Sequence, residues 1–232
     1  MNTDKLLQSI DLKDSNYVKE KSKISCFDFH HRNKFYLIGS YSGKIYSMDY
    51  LSNKTIFSVD GKHKNGVNIL KFLNRPENSL NFLSGGRRDN EIFLWDIRNI
   101  TQPLFSFYRE NQTNQKLNFV VDDNDNFLFV ANNDGTVIVY DLKNFNTISY
   151  FYTGEIKGKD TKAVSCLDFN SKINCLVTAN GSRDNNHNRF EKSLDADRIN
   201  LESEEEGLNM HDHFDGGFKF WDFNSLNGIG EK

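Results

Sequence analysis

Short apolar runs alternate along this chain with turn-like stretches rich in Gly, Asn, Asp and Ser, and the runs recur in a fixed order. Four open alike: "ISCFDF" from Ile24, "VNILKF" from Val67, "LNFVVD" from Leu117 and "VSCLDF" from Val164. Each is followed by a second run, in order "FYLIGS", "LNFLSGG", "FLFVANN" and "NCLVTAN". A third run closes on Asp: "KIYSMD", "EIFLWD", "TVIVYD" and "FKFWD". A fourth follows in three cases, "KTIFSV", "PLFSFY" and "TISYFY". Runs of this length, bounded by turn residues and rich in β-branched and aromatic side chains, predict strands. No segment carries a sustained helical period.

The starts of the first strands are separated by 43, 50 and 47 residues. Four strands per unit at that period is the signature of a β-propeller blade of the WD40 kind, so the expected fold is all-β. Six residues before each large third-strand side chain stands a turn residue: Ser42 with Met48, Asp89 with Trp95, Asp134 with Tyr140, and Asp215 with Trp221. In WD40 blades a turn Asp, a third-strand Trp, a second-strand Ser or Thr and a His before the first strand form a buried hydrogen-bonded network. His63, Ser84, Asp89 and Trp95 supply those four types here. The expected division is an outer strand and linker over 1–23, blades over 24–66, 67–116 and 117–163, and a last blade over 164–232. "KLLQSIDL" (5–12) reads as a lone fourth strand, and the last blade lacks its own. That arrangement points to a partial propeller, four blades of a seven-bladed ring.

Composition narrows the class. With 37% apolar residues and 13% aromatics the chain can build a core. Net charge is −3, so any nucleic-acid contact must come from a local patch. Three cysteines without a C-x-x-C pair argue against a disulfide framework or a zinc ribbon, and Cys26 and Cys166 fall at one place in equivalent strands, which predicts core positions. The N-terminal stretch has no signal-peptide pattern and no run approaches a membrane span, so a reducing, soluble compartment is expected.

"GGRRDN" lacks the G-K-[ST] ending of a phosphate loop and leads into a strand. No nucleophile elbow, H-E-x-x-H or Cys/His pair appears, so no catalytic residue, cofactor, metal or small-molecule substrate is expected. His30, His31, His211 and His213 read as loop residues; "HDH" beside acidic residues has no third ligand at a defined spacing. The loops between fourth and first strands, and between second and third, emerge on one face of a propeller. They carry Lys62, Lys64, Arg87, Arg88, Arg109, Lys116, Lys157, Lys159, Lys162 and Arg183. Such a face suits RNA phosphates, with "NQTNQ" available to base edges; Arg87, Arg88, Lys64, Arg109 and Lys116 are the candidate contacts. The alternatives are solvated lysines and, for either Arg87 or Arg88, a salt bridge to a neighbouring blade. Residues 184–215, with "ESEEE", read as an acidic loop inserted before the last strand of the final blade.

"SGGRRDNEIFLWDIRNITQPLFSFYRENQTNQ", with "ISCFDF" and "GSYSG" upstream and the acidic insertion, resembles the telomerase Cajal body protein 1 family, also called WD repeat proteins antisense to p53. The resemblance extends over about 24–223. It implies a seven-bladed nuclear protein that binds the CAB box of small Cajal body RNAs, and telomerase RNA that carries that box, among ribonucleoprotein partners and away from membranes. Cajal bodies and nucleoplasm are the implied location, with the cytoplasm as a further one. About three upstream blades of the family pattern are absent here. The other reading is a WD40 protein-interaction scaffold using the same face.

Overall fold

A computed structural model describes residues 22–30, 32–75, 80–153, 163–180 and 218–223. The expected strand at 5–12, the insertion at 184–215, and the expectations for His31, Lys157, Lys159, Lys162, Arg183, His211, His213 and Asp215 lie outside them. The described residues form four antiparallel sheets, each a meander in chain order. Blade one is β1 (Ile24–Phe29), β2 (Phe35–Ser40), β3 (Ile45–Asp49) and β4 (Thr55–Val59). Blade two is β5 (Val67–Phe72), β6 (Asn81–Gly86), β7 (Glu91–Asp96) and β8 (Phe105–Tyr108). Blade three is β9 (Phe119–Val121), β10 (Phe127–Ala131), β11 (Thr136–Asp141) and β12 (Thr147–Tyr152). Blade four has three described strands, β13 (Val164–Asn170), β14 (Cys175–Asn180) and β15 (Phe218–Asp222). This is a WD40-like, all-β architecture.

The cores lie between blades. The middle strands β6 and β7 of blade two are buried on both faces, which is why they read as continuous apolar runs with little alternation. Leu37, Ile45 and Val59 of blade one pack on Leu70, Phe72, Phe82, Phe93 and Trp95 of blade two. Leu83, Ile92, Leu94 and Phe107 on the other face of blade two meet Phe119, Leu128, Val130 and Tyr140 of blade three. A third cluster joins blade three to blade four through Phe129, Val137, Val164, Leu176 and Trp221. Close approach is set by small residues in the second strands. A Cβ on Gly39 would lie 2.6 Å from the Cys26 Sγ and 2.8 Å from a Val67 methyl, so only glycine allows β5 to sit there.

The first strands carry a register irregularity at their upper ends, between Ile24 and Cys26, Val67 and Ile69, and Val164 and Cys166. A bulge of this kind turns the intervening residue out of the ladder. Ser25 uses that turn to donate to the Gly39 carbonyl at 3.0 Å and to the carbonyl of Val67 in the next blade. In blade three the pairing of Phe119 with Val130 matches that of Leu70 with Ser84, so Lys116, one residue before Leu117, holds the place of Ile24, Val67 and Val164.

One expectation changes in this frame. Cys26 is half-buried, packed beside the cluster between blades one and two, whereas Cys166 is exposed. Both occupy the same slot on the face turned toward the following blade. In blade one that face is covered; in blade four it is not. Cys166 is therefore not a core residue here. The opposite end of the arc shows the same effect: Phe27 is 66% exposed and Phe29 56%, although Leu70 and Phe72 in the equivalent slots of blade two are 5% and 2% exposed.

Candidate RNA-binding face and its scaffold

The turn between β6 and β7 carries Arg87, Arg88 and Asp89, and its geometry is fixed from below. Trp95 Nε1–H has only donor capacity and gives its proton to the Ser84 Oγ at 2.8 Å. The Ser84 Oγ also lies 2.7 Å from His63 Nε2, and His63 Nδ1 lies 2.6 Å from Asp89 Oδ2, so the imidazole links the hydroxyl to the turn carboxylate. Trp95, Ser84 and His63 are each no more than 1% exposed, so every group in the chain depends on its partner. Asp89 also accepts from the Glu91 amide at 3.2 Å.

The other pairs share the six-residue spacing with different chemistry. Trp221 donates to the Thr178 hydroxyl at 3.0 Å. Tyr140 donates instead across the blade boundary to the Tyr108 carbonyl at 2.8 Å. Asp134 serves its own turn, accepting from the Thr136 amide at 2.9 Å and hydroxyl at 2.6 Å. Registers explain the difference: the slot of Ser84 and Thr178, two residues past the strand partner of the Trp, holds Ile38 in blade one and Val130 in blade three. Hydroxyls stand only where an indole N–H needs an acceptor; Met48 and Tyr140 make no such demand.

Arg109 corrects the sequence reading. It was expected as an RNA contact, yet it is 0% exposed. Its guanidinium donates to the carbonyls of Asp89 at 3.0 Å, Leu117 at 3.3 Å and Gly86. Burial pulls its pKa down to about 10, with Asp89 acting the other way, so it stays a cation at neutral pH. Asn111 completes the clamp by donating to the Gly86 carbonyl at 3.2 Å, while its own amide N–H donates to Asn90 Oδ1 at 2.9 Å. "YREN" therefore holds "GGRRDN" in shape, a physical reason for the two motifs to occur together. The signal was present in "FSFYR": period two places Arg109 on the side of Phe105 and buried Phe107.

The remaining candidates are placed on the rim. Lys64, Arg88 and Lys116 are exposed and Arg87 is half-buried. Arg88 has φ +46°. Arg87 sits with its guanidinium carbon 5.1 Å from the centroid of the Tyr41 ring, and its amide donates to the Gly66 carbonyl at 2.8 Å. Among the described residues neither arginine forms a salt bridge with another blade; Arg87 has an aromatic partner, which sequence reasoning missed. Among the described residues there is no group of three or more His, Cys, Asp or Glu able to hold a metal, and no helix is long and apolar enough to cross a membrane.

No family model matches the chain. It is 34% identical to bovine (Bos taurus) telomerase Cajal body protein 1 over 172 residues, covering 69% of this chain and 29% of that protein. The Drosophila melanogaster telomerase Cajal body protein 1 homolog is 33% identical over 90 residues, 39% of this chain and 16% of that protein. The chain thus spans less than a third of the length of these curated relatives. Among solved structures, a chain from the crystal structure of the mitotic checkpoint complex superposes with TM-score 0.57 at 19% identity, over 72% of this chain and 47% of its own, a likeness of fold. With its blades, its clamped arginine turn and this identity taken together, the chain is a homologue of telomerase Cajal body protein 1 over a part of that protein's length.

Proposed function

We propose that these blades form part of a seven-bladed WD40 propeller that binds RNA on its upper face, with CAB-box-bearing small Cajal body and telomerase RNAs as the targets and their ribonucleoprotein proteins as neighbours. Its place in the cell would be the Cajal body and nucleoplasm. The supporting observation is the division of labour in the 86–90 turn. Asp89 is tied to the buried network, and Arg109 and Asn111 clamp the backbone. Arg88 remains exposed at the crest, with Lys64 and Lys116 exposed on the flanking loops. A rigid turn presenting guanidinium groups suits phosphate oxygens, which demand fixed, charged donors.

The test is a titration of the full chain with a short labelled single-stranded RNA carrying the CAB box, against a scrambled RNA of equal length, at several salt concentrations. Tighter binding to the first, with affinity falling as salt rises, is expected. Equal binding to both RNAs would remove the CAB box as the target, and no binding would remove the RNA reading and favour a protein-interaction scaffold.

A further inference from the structure

Tyr41 lies on the same face, in the turn after β2, at the centre of the "GSYSG" stretch. The residue is 46% exposed while its backbone is held closely by its surroundings. Its amide donates to the Lys23 carbonyl at 2.9 Å. Two glycines with left-handed backbones press the turn into place from both sides. Gly43, at φ +91°, has no room for a Cβ because one would lie 1.8 Å from the His63 carbonyl oxygen. Gly66, at φ +97°, approaches Tyr41 so closely that a Cβ would lie 2.9 Å from its carbonyl oxygen. Tyr41 is thereby locked against the loop that carries His63 and Lys64. Arg87, from the clamped turn of blade two, reaches back across the blade boundary over its ring.

Resting on the RNA reading above, we propose that Tyr41 is the stacking platform for one unpaired base, and that Arg87 beside it holds the adjoining phosphate. A preset, half-open ring loses little freedom when a base settles on it, and every base offers a π-face. A guanidinium over a ring remains able to donate in its own plane, so its cation–π contact with Tyr41 orients it toward a phosphate without consuming its N–H groups. The acidic groups near this corner are themselves engaged: Asp60 lies 3.5 Å from the Lys44 ammonium, and Asp89 bonds His63.

The experiment titrates labelled CAB-box RNA into the full chain and its Tyr41→Phe and Tyr41→Leu variants at low and high salt, with thermal midpoints measured alongside. Tyr41→Phe should bind within about twofold of the parent. Tyr41→Leu should weaken binding by roughly tenfold to a hundredfold, by a similar factor at both salts, because stacking is not screened. Ultraviolet crosslinking of the unaltered chain to the same RNA should label the peptide carrying Tyr41, a readout independent of how either variant folds. If the parent binds RNA while Tyr41→Leu binds equally well, or if no crosslink maps to that peptide, the stacking role is wrong and the RNA reading survives. If the parent binds no RNA, both fall.

Discussion

At the scale of single residues, Ser84 does more than its size implies. Its one hydroxyl accepts from Trp95 and bonds His63, so Ser84→Ala orphans two buried polar groups at once. Each orphan costs about 1–3 kcal/mol, and the urea midpoint should fall accordingly with little change in slope. Trp95→Ala removes a fully buried indole from the contact between blades one and two and should cost about 3–5 kcal/mol by the same measurement. The cysteines offer a test of burial without substitution. Desolvation pushes the Cys26 thiol up to about 11, against a weaker pull from Ser25 and Lys116. Little thiolate forms there at pH 8, whereas Cys166 is exposed. Timed alkylation of the folded chain followed by mass spectrometry should label Cys166 well before Cys26.

At the scale of the element, the turn between β6 and β7 separates holding from binding. Arg109→Ala leaves the carbonyls of Gly86, Asp89 and Leu117 without their shared donor and should destabilise by on the order of 3 kcal/mol in denaturant titration. Arg88→Gly should leave the midpoint unchanged or raised by no more than about 1 kcal/mol, because glycine accepts the left-handed backbone that arginine adopts there under strain. The same change should weaken RNA binding and reduce its logarithmic salt slope by about 1. The strands and the network of blade two were legible in the sequence because burial on both faces forces continuous apolar runs and because Asp, Ser, Trp and His are needed together. What was not legible depends on contacts between blades. Arg109 looked like a surface cation because a charge count carries no depth. The pairing of Tyr41 with Arg87 has no signal in the sequence because the two lie in different blades. The place of Lys116 was misjudged by one residue, since β9 is short and its apolar pattern allows either register.

At the scale of the whole molecule, the two ends of the arc differ from its middle. Ile38, Tyr46 and Met48 of blade one form a small buried apolar cluster with Tyr36 packed against it, and exposed Phe27 and Phe29 border it. Replacing both phenylalanines with serine should reduce binding of a hydrophobic dye and any concentration-dependent association in sedimentation, while leaving the midpoint nearly unchanged, since their equivalents in blade two stabilise only by being covered. The placement of the cores has a further consequence. Among the described residues the three larger apolar clusters join neighbouring blades, while a smaller one lies within blade one, so each sheet is secured mainly by the interfaces it shares with its neighbours. Among the described residues, blades two and three share two such interfaces each, and blades one and four one each. Native-state amide exchange should therefore grade along the chain: amides in β6, β7 and β10 exchange slowly through concerted opening, those in β2 and β14 faster because fewer described interfaces hold their blades.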